Sequence, residues 1–419
     1  METESSNLTI NLPRRAWLIV GLLCVVGCLN YLDRMMLTTM RSSIIGDIPM
    51  TDAQFGLLTS VFLWVYGLLS PFTGFMADKF SRSKIIISGL FVWSLVTWLT
   101  AHATSYNELL YTRALMGISE ACYLPAALAL IADYHQGSTR SLATGIHLAG
   151  VLVGQSMGFV GAWIAESYNW NMSFTIFGII GIVHSVILLF TLKDRPPSSD
   201  FITNSKEKKS LNFWEAVRDL FSRKNFILLL VFYSLLGIVA WLTIGWLPTY
   251  YKEHFNLSQT TAGAYATLYI HPASLVGAIL GGYLADKYVK TIPRSRIIIP
   301  IIGLCVAAPS VFLAGSSTIL PLTIMFFMLF ALTRVFSDVN LMPILCEISD
   351  VRHRATGLGI LNAAACIVGG VGLYAGGLLR DLHVNLETIF QCASLIMILC
   401  IILLYNIKLI TSKDRIIIN

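Results

Sequence analysis

The chain has 419 residues, 56% of them hydrophobic and 12% charged, with a net charge of +6 and a mean hydropathy of +0.72. Soluble domains carry about 25% charged residues, so there is too little polar surface here for a water-facing globule. The solvent that fits is a lipid bilayer, in which a spanning helix needs about 20 apolar residues.

Twelve such segments follow in chain order, roughly 16–38, 53–76, 84–103, 107–134, 140–164, 172–192, 225–250, 259–286, 296–315, 319–347, 355–378 and 386–409. Continuous apolar runs without alternation exclude a membrane barrel, and unpaired backbone has no partner in lipid, so the spans are helices. An N-terminus in the cytoplasm places 23 of the 29 basic residues on the inner side, with Arg41, Lys252 and Arg380 outside. This asymmetry predicts an even number of spans with both termini cytoplasmic. It also accounts for the net charge without a nucleic-acid partner. The first span runs on into Asp33–Arg34 and lacks the small-residue cleavage site of a signal peptide. All eight cysteines fall in apolar segments without zinc-ligand context, and they read as small apolar fillers.

Three strings recur in order at close to half the chain length. GFMADK (74–79) returns as GYLADK (282–287), SEACYLP (119–125) as SDVNLMP (337–343) and RSLATG (140–145) as RHRATG (352–357), at offsets of 208, 218 and 212. They predict a duplicated six-helix unit, with residues 1–192 as the first bundle, 193–224 as a cytoplasmic linker and 225–419 as the second bundle. Repeated halves around a central site are the construction of alternating-access carriers. Within the linker, Asn212 to Phe221 has the pattern of a short amphipathic helix on the membrane surface. Asn171, beside Trp170 at the start of the sixth span, reads as a helix cap.

Charges inside spans are expensive and usually face a cavity or each other. Six are present: Asp33 and Arg34 in the first span, Arg113 and Glu120 in the fourth, Arg334 and Asp338 in the tenth. Asn30, Asp33, Arg34, Leu37 and Thr38 share one helical face, and Arg334 and Asp338 are close enough to pair at i, i+4. An arginine cannot release its proton and grips a carboxylate with a planar fork, which makes Arg34 the expected anchor for an anionic substrate. A buried carboxylate can load and unload a proton, which makes Asp33 and Glu120 the expected carriers, with Arg334 and Asp338 as a further coupling pair. Tyr31, Tyr66, Arg113, Gln155, Asn340 and Asn362 are the other expected substrate contacts. No nucleophile–base arrangement, phosphate loop or metal cluster stands out, so neither an enzyme nor a cofactor beyond a proton gradient is expected.

GFMADKFSRSK (74–84) resembles the signature between the second and third helices of the major facilitator superfamily, with Gly74, Asp78, Lys79, Arg82 and Lys84 matching and Ser81 and Ser83 replacing the usual glycine and arginine. GVLVGQSMGFVG (150–161) is similar to the glycine-rich fifth-helix motif, without its usual proline. NYLDR (30–34) and RALMGISEA (113–121) resemble the first and fourth helices of anion:cation symporters for sugar acids, and also of spinster-like lysolipid carriers. The resemblance implies an all-α fold of two pseudo-symmetric six-helix bundles. It implies a monomeric, proton-coupled symporter of hexuronate, aldonate or sialic acid in a bacterial inner membrane, with a lysolipid carrier as the alternative. It also implies a gate built on Gly74, Asp78, Lys79 and Arg82, repeated at Asp286, and a glycine stripe at 150, 154, 158 and 161 along which the halves rock.

Overall fold

The computed structural model describes residues 14–135, 139–194, 213–289, 291–292 and 294–407; of residues 14, 74–79 and 351 only the backbone is described. Among the described residues, twelve helices are long and apolar enough to cross a membrane: α1 Arg15–Thr39, α2 Asp52–Thr73, α3 Arg82–Thr100, α4 Tyr106–Tyr134, α5 Arg140–Ser167, α6 Trp170–Thr191, α7 Lys224–His254, α8 Gln259–Tyr288, α9 Ser295–Ser316, α10 Leu320–Ile348, α11 Arg354–Asp381 and α12 Leu386–Asn406. The described residues contain no strand.

Polar residues at the span ends set the boundaries. Ser105 accepts from the Glu108 backbone N–H while Glu108 reaches back, a capping box that starts α4. Ser258 caps α8 in the same way through the Thr261 N–H. Ser81, standing where the resembled signature has glycine, accepts from the Lys84 N–H and caps α3. The cap of α6 is Asn169, which accepts from the Met172 N–H. Asn171 was the expected cap, but it lies two residues later, inside the first turn, and its amide instead donates to the Ala101 carbonyl at 2.7 Å.

Three spans are interrupted at depth: α4 at Cys122, α5 at Met157–Gly158 and α8 at Tyr269. The last interruption precedes Pro272, whose missing N–H leaves the Leu268 carbonyl without its helical donor. Irregular backbone is tolerated in a membrane protein where it is buried in protein or lines a cavity.

The glycine stripe on α5 has a different role from the expected one. A Cβ at Gly150 would lie 2.7 Å from the Cys24 carbonyl, one at Gly154 would overlap the Cys28 carbonyl, and Gly161 faces Met36. The stripe therefore seats α5 on α1 inside the first half. Only Gly158 also touches the second half, through Thr267. Close approach, rather than sliding between halves, is what requires small residues here.

The halves meet along two seams. α2 lies along α11, where the Ser60 hydroxyl donates to the Gly370 carbonyl at 2.7 Å, Trp64 Nε1 to Ile367 at 3.0 Å and Asn362 Nδ2 to Ser70 Oγ at 3.1 Å. α5 meets α8 near Ala162 and Gly263. At the end of the molecule that carries few basic residues, each seam closes with a carboxylate on the partner helix's N-terminus. Asp381, at the end of α11, accepts from the N–H groups of Asp52 and Ala53 at 2.9 and 3.1 Å. Glu166, at the end of α5, accepts from the Gln259 N–H and the Thr260 hydroxyl, both at 2.5 Å. The two caps are reciprocal, each half supplying one acid and one helix start, and the unsatisfied N–H groups there favour negative charge. Between them Arg41 pairs with Asp52, and Arg380 bridges Asp52 and Glu253 at 2.9 Å each.

At the basic end the ion pairs among the described residues stay within one half. Arg82 at the start of α3 pairs with Asp133 at the end of α4, and Arg296 at the start of α9 pairs with Glu347 at the end of α10 at 3.1 Å. Both partners recur at the same spacing of 214 residues. Asp286 stands 3.8 Å from Arg296 and is largely exposed. Of Gly74, Asp78 and Lys79, the rest of the expected gate motif, only the helical backbone is described, so their side-chain contacts lie outside the described structure.

The linker contains a helix at Phe213–Ser222, as its pattern predicts, with Ala216 and Leu220 buried and Trp214 73% exposed. Phe213 stacks on Phe72 of α2, while Asp219 accepts from His353 at 2.7 Å and pairs with Arg223 at 2.9 Å. One end thus touches each half. Burial pushes the Asp219 carboxyl up, but the hydrogen bonds from Arg223 and His353 outweigh it and hold it below the usual carboxylate range.

Two predictions follow from these contacts. Neutralising both reciprocal caps (Glu166→Gln with Asp381→Asn) is expected to lengthen the distance between spin labels at Asn107 and Leu382, measured by pulsed electron resonance after replacing the exposed Cys305 and Cys392. A depressed acid stabilises its contact above the ordinary Asp pKa of about 3.9 and loses it as pH falls through the lower folded value. Protection of the amides over 213–222, corrected for intrinsic exchange, is therefore expected to be constant with pH near neutrality, to fall in strong acid, and to be low at every pH in Asp219→Asn.

Candidate functional site

Four of the six charges within the spans converge between α1, α3 and α4. On α1, successive residues diverge. Asp33 points to α3, where the Thr97 hydroxyl donates to it at 2.9 Å, and Arg34 points to α4. Gly117 lets α4 pack closely on α2, because a Cβ there would lie 2.8 Å from the Phe62 carbonyl of α2. Arg34 Nε and Nη2 both reach the same oxygen of Glu120, at 2.9 and 2.8 Å, and Nη2 also donates to Asn30 Oδ1 at 3.2 Å. The other carboxylate oxygen, Glu120 Oε1, is buried without a partner. Tyr31, Phe62 and Tyr66 surround the guanidinium with ring centres 4.5, 4.7 and 4.9 Å from it.

Arg113 is different. It is 2% exposed, its Nε and Nη2 have no hydrogen-bond partner, and its nearest aromatic face is Phe174 at 5.5 Å. Asp33 and Glu120 act on it through space without reaching ion-pair distance. A buried guanidinium without a direct partner is costly, and its remaining donors are free for an anion.

Arg34 and Arg113 both line a cleft between the halves that encloses about 410 Å³ of empty space, part of it continuous with solvent. Thr38 and Thr59 add hydroxyls, and Phe62 and Trp241 form part of a mainly apolar wall. Arg34 was the expected anchor and Arg113 a secondary contact. In this structure Glu120 neutralises Arg34, whereas Arg113 Nε and Nη2 have no hydrogen-bond partner.

Several expected contacts sit elsewhere. Asn340 is buried and donates to the Phe336 carbonyl at 2.9 Å on its own helix. Asn362 is spent on the α2–α11 seam. Gln155 is half-buried in the last turn before the α5 interruption and is not among the residues lining the cleft. Periodicity placed these three on inward faces, but which inward face meets empty space depends on tertiary packing. Tyr31 and Tyr66 reach the site only through Arg34. Arg334 and Asp338 pair within α10 at 2.8 Å and act on Tyr233 of α7 rather than on the four-charge cluster. Six charges do not share one chamber: four form the cluster and two a separate pair. Trp241, Thr38 and Thr59 were not expected as site residues; an alternation of small, hydroxyl and aromatic side chains in an apolar span carries no distinctive signal. No group of three or more His, Cys, Asp or Glu that could hold a metal ion occurs among the described residues.

Twelve apolar helices, two matching sets of charges at the basic end and a charged cleft between halves define a multi-pass membrane transporter. Residues 23–372 match the Major Facilitator Superfamily, and the chain belongs to that family. It is similar to protein spinster of Drosophila melanogaster, with 26% identity over 89% of this chain and 64% of the relative. It is also similar to a probable sulfoacetate transporter of Cupriavidus necator, with 28% identity over 67% of each chain. The chain thus spans somewhat less than two thirds of spinster's length. In fold it resembles the crystal structure of a bacterial homolog of the human lysosomal transporter spinster, in inward-facing and unoccupied conformation, with a TM-score of 0.75, 22% identity and coverage of 93% and 95% of the two chains.

Removing one partner of a buried ion pair costs about 3–5 kcal/mol because the other charge is stranded. Arg34→Ala is therefore expected to lower the melting temperature of the purified protein sharply, and adding Glu120→Gln in the same chain to restore most of the loss.

Proposed function

We propose that this chain is a proton-coupled symporter of small organic anions, with sugar acids such as hexuronate, aldonate or sialic acid as the substrate class. The observation that carries this reading is the Arg34–Glu120 pair beside the unpartnered Arg113 in one cleft. The cluster of Asp33, Arg34, Arg113 and Glu120 has no net charge. A proton arriving on Glu120 removes the counter-ion of Arg34. Two guanidinium groups then face the cleft, and an anion seated there restores neutrality. Proton and anion bind as a neutral unit, which lowers the cost of carrying either through a low-dielectric interior.

Movement of residues 1–192 against 225–419, tethered by 193–224, would carry the site from one face to the other. The reciprocal caps and the Arg41–Asp52–Arg380–Glu253 network close the end poor in basic residues, while the Arg82–Asp133 and Arg296–Glu347 pairs at the basic end each lie within one half. With the basic end in the cytoplasm, this arrangement is the inward-facing state of a monomer with both termini cytoplasmic, in a bacterial inner membrane. A relative described as a probable sulfoacetate transporter supports a small anionic substrate. A spinster-like lysolipid carrier is the second reading, favoured by the apolar share of the cleft wall and by the spinster relatives.

In proteoliposomes, Glu120→Gln is expected to keep exchange of labelled glucuronate while losing accumulation driven by a pH gradient; unchanged accumulation rejects Glu120 as the proton site. A charge-assisted hydrogen bond contributes roughly 1.5–3 kcal/mol. Arg113→Gln is therefore expected to weaken glucuronate binding by about ten- to a hundredfold in calorimetric titration, and unchanged binding removes it as the anchor.

A further inference from the structure

A second cavity, with about 290 Å³ of empty space, adjoins the charged cleft: Met35, Thr38 and Ile244 line both. Its far wall comes from the second half, from α7 and from the interrupted part of α8, and it carries no acid, lysine or arginine. Part of its space is continuous with solvent, and its wall is mainly apolar, from Met35, Ile244, Leu247, Pro248, Ala266 and Ile270; its polar members are Thr38, Thr243, Thr267 and His271. The three hydroxyl hydrogens are already committed. Thr38 donates to Met35 at 3.0 Å, Thr243 to Val239 at 2.7 Å and Thr267 to Gly263 at 2.9 Å, each to a carbonyl of its own helix. A hydroxyl used in this way has only acceptor capacity left. Thr59 in the first cleft is committed likewise, to Gly56 at 2.8 Å. His271 is 6% exposed, follows the α8 interruption directly, and has no hydrogen-bond partner among the described residues. The two cavities therefore differ in chemistry. One presents cations from the first half, and the other presents uncharged acceptors and an open imidazole, chiefly from the second.

We propose that this second cavity is the subsite for the uncharged body of the substrate, and that it selects a body bearing several hydrogen-bond donors. The proposal rests on the reading of the first cleft as the anion site and narrows it: the substrate is a polyhydroxylated carboxylate rather than an anion with an acyl chain. Hydroxyl groups on such a body donate to the threonine oxygens and exchange a hydrogen bond with His271. An acyl chain in the same place leaves those groups without partners, and sites built for hydrogen bonding discriminate strongly against ligands that lack the matching group. A substrate lying across both cavities touches both halves, with its carboxylate on α1 and α4 and its hydroxyls on α7 and α8.

The test is calorimetric titration of the full-length protein with glucuronate and with cyclohexanecarboxylate, a ring acid of similar size without hydroxyls. Wild type is expected to prefer glucuronate. Thr243→Val with Thr267→Val keeps the side-chain shape and is expected to weaken glucuronate by about tenfold or more while leaving cyclohexanecarboxylate unchanged. The single valine variants, and His271→Leu, are expected to move the same ratio in the same direction by less. Equal effects on both acids, or none, overturn the proposal. So does a wild type that binds cyclohexanecarboxylate or lysophosphatidylglycerol more tightly than glucuronate, gluconate and N-acetylneuraminate. If Arg113→Gln weakens both acids while the valine variants change neither, the subsite falls and the anion site stands. If wild type binds no acid at all, both fall together.

Discussion

One buried ion pair organises this molecule. Arg34 and Glu120 lie within the apolar interior of the first half, where neither charge is tolerable alone. Their mutual neutralisation explains why an arginine can remain at that depth and why its three aromatic neighbours can close around it. Beside it lies a second guanidinium, Arg113, whose Nε and Nη2 have no hydrogen-bond partner. On the proposed reading, a proton on Glu120 would unbalance the pair, and an anion seated beside the two guanidinium groups would restore neutrality.

The rest of the fold frames this cluster. Gly117, Gly150 and Gly154 bring α4 onto α2 and α5 onto α1, and so fix the framework that holds Asp33, Arg34, Arg113 and Glu120. The two seams between halves end in carboxylates seated on the start of the opposing helix, Asp381 on α2 and Glu166 on α8. This is internal symmetry expressed as chemistry. The same device is used twice, once in each direction, and the Arg82–Asp133 and Arg296–Glu347 pairs repeat a second device at the other end. Ion pairs cross between the halves at the end poor in basic residues, while at the basic end the Arg82–Asp133 and Arg296–Glu347 pairs each lie within one half.

The linker helix adds a tie between the moving parts. Phe213 rests on Phe72, and Asp219 is held by His353 and Arg223. Its exposed Trp214 suits a membrane interface, where an aromatic ring with a polar edge is favoured. The segment that reads in sequence as a short amphipathic surface helix is thus also held by contacts to both halves.

Much was legible in the sequence because lipid is a demanding solvent. Twelve apolar runs, the skewed distribution of lysine and arginine, and the three repeated strings follow from constraints that act on each residue locally, so the spans and the duplicated unit could be read directly. The buried charges were legible for the same reason, since at that depth they are costly anywhere. What the sequence did not determine is how they pair. Asp33 and Arg34 are neighbours in the chain yet serve different helices, Arg113 rather than Arg34 is left open, and Arg334–Asp338 stands apart. Asn340, Asn362 and Gln155 have inward-facing positions but lie on a helix carbonyl, in a seam and outside the cleft lining, respectively. Helical periodicity specifies a face. The rotation of each helix against its neighbours, set by where glycines allow contact and where prolines interrupt the backbone, decides which part of that face meets a charge, a carbonyl or empty space.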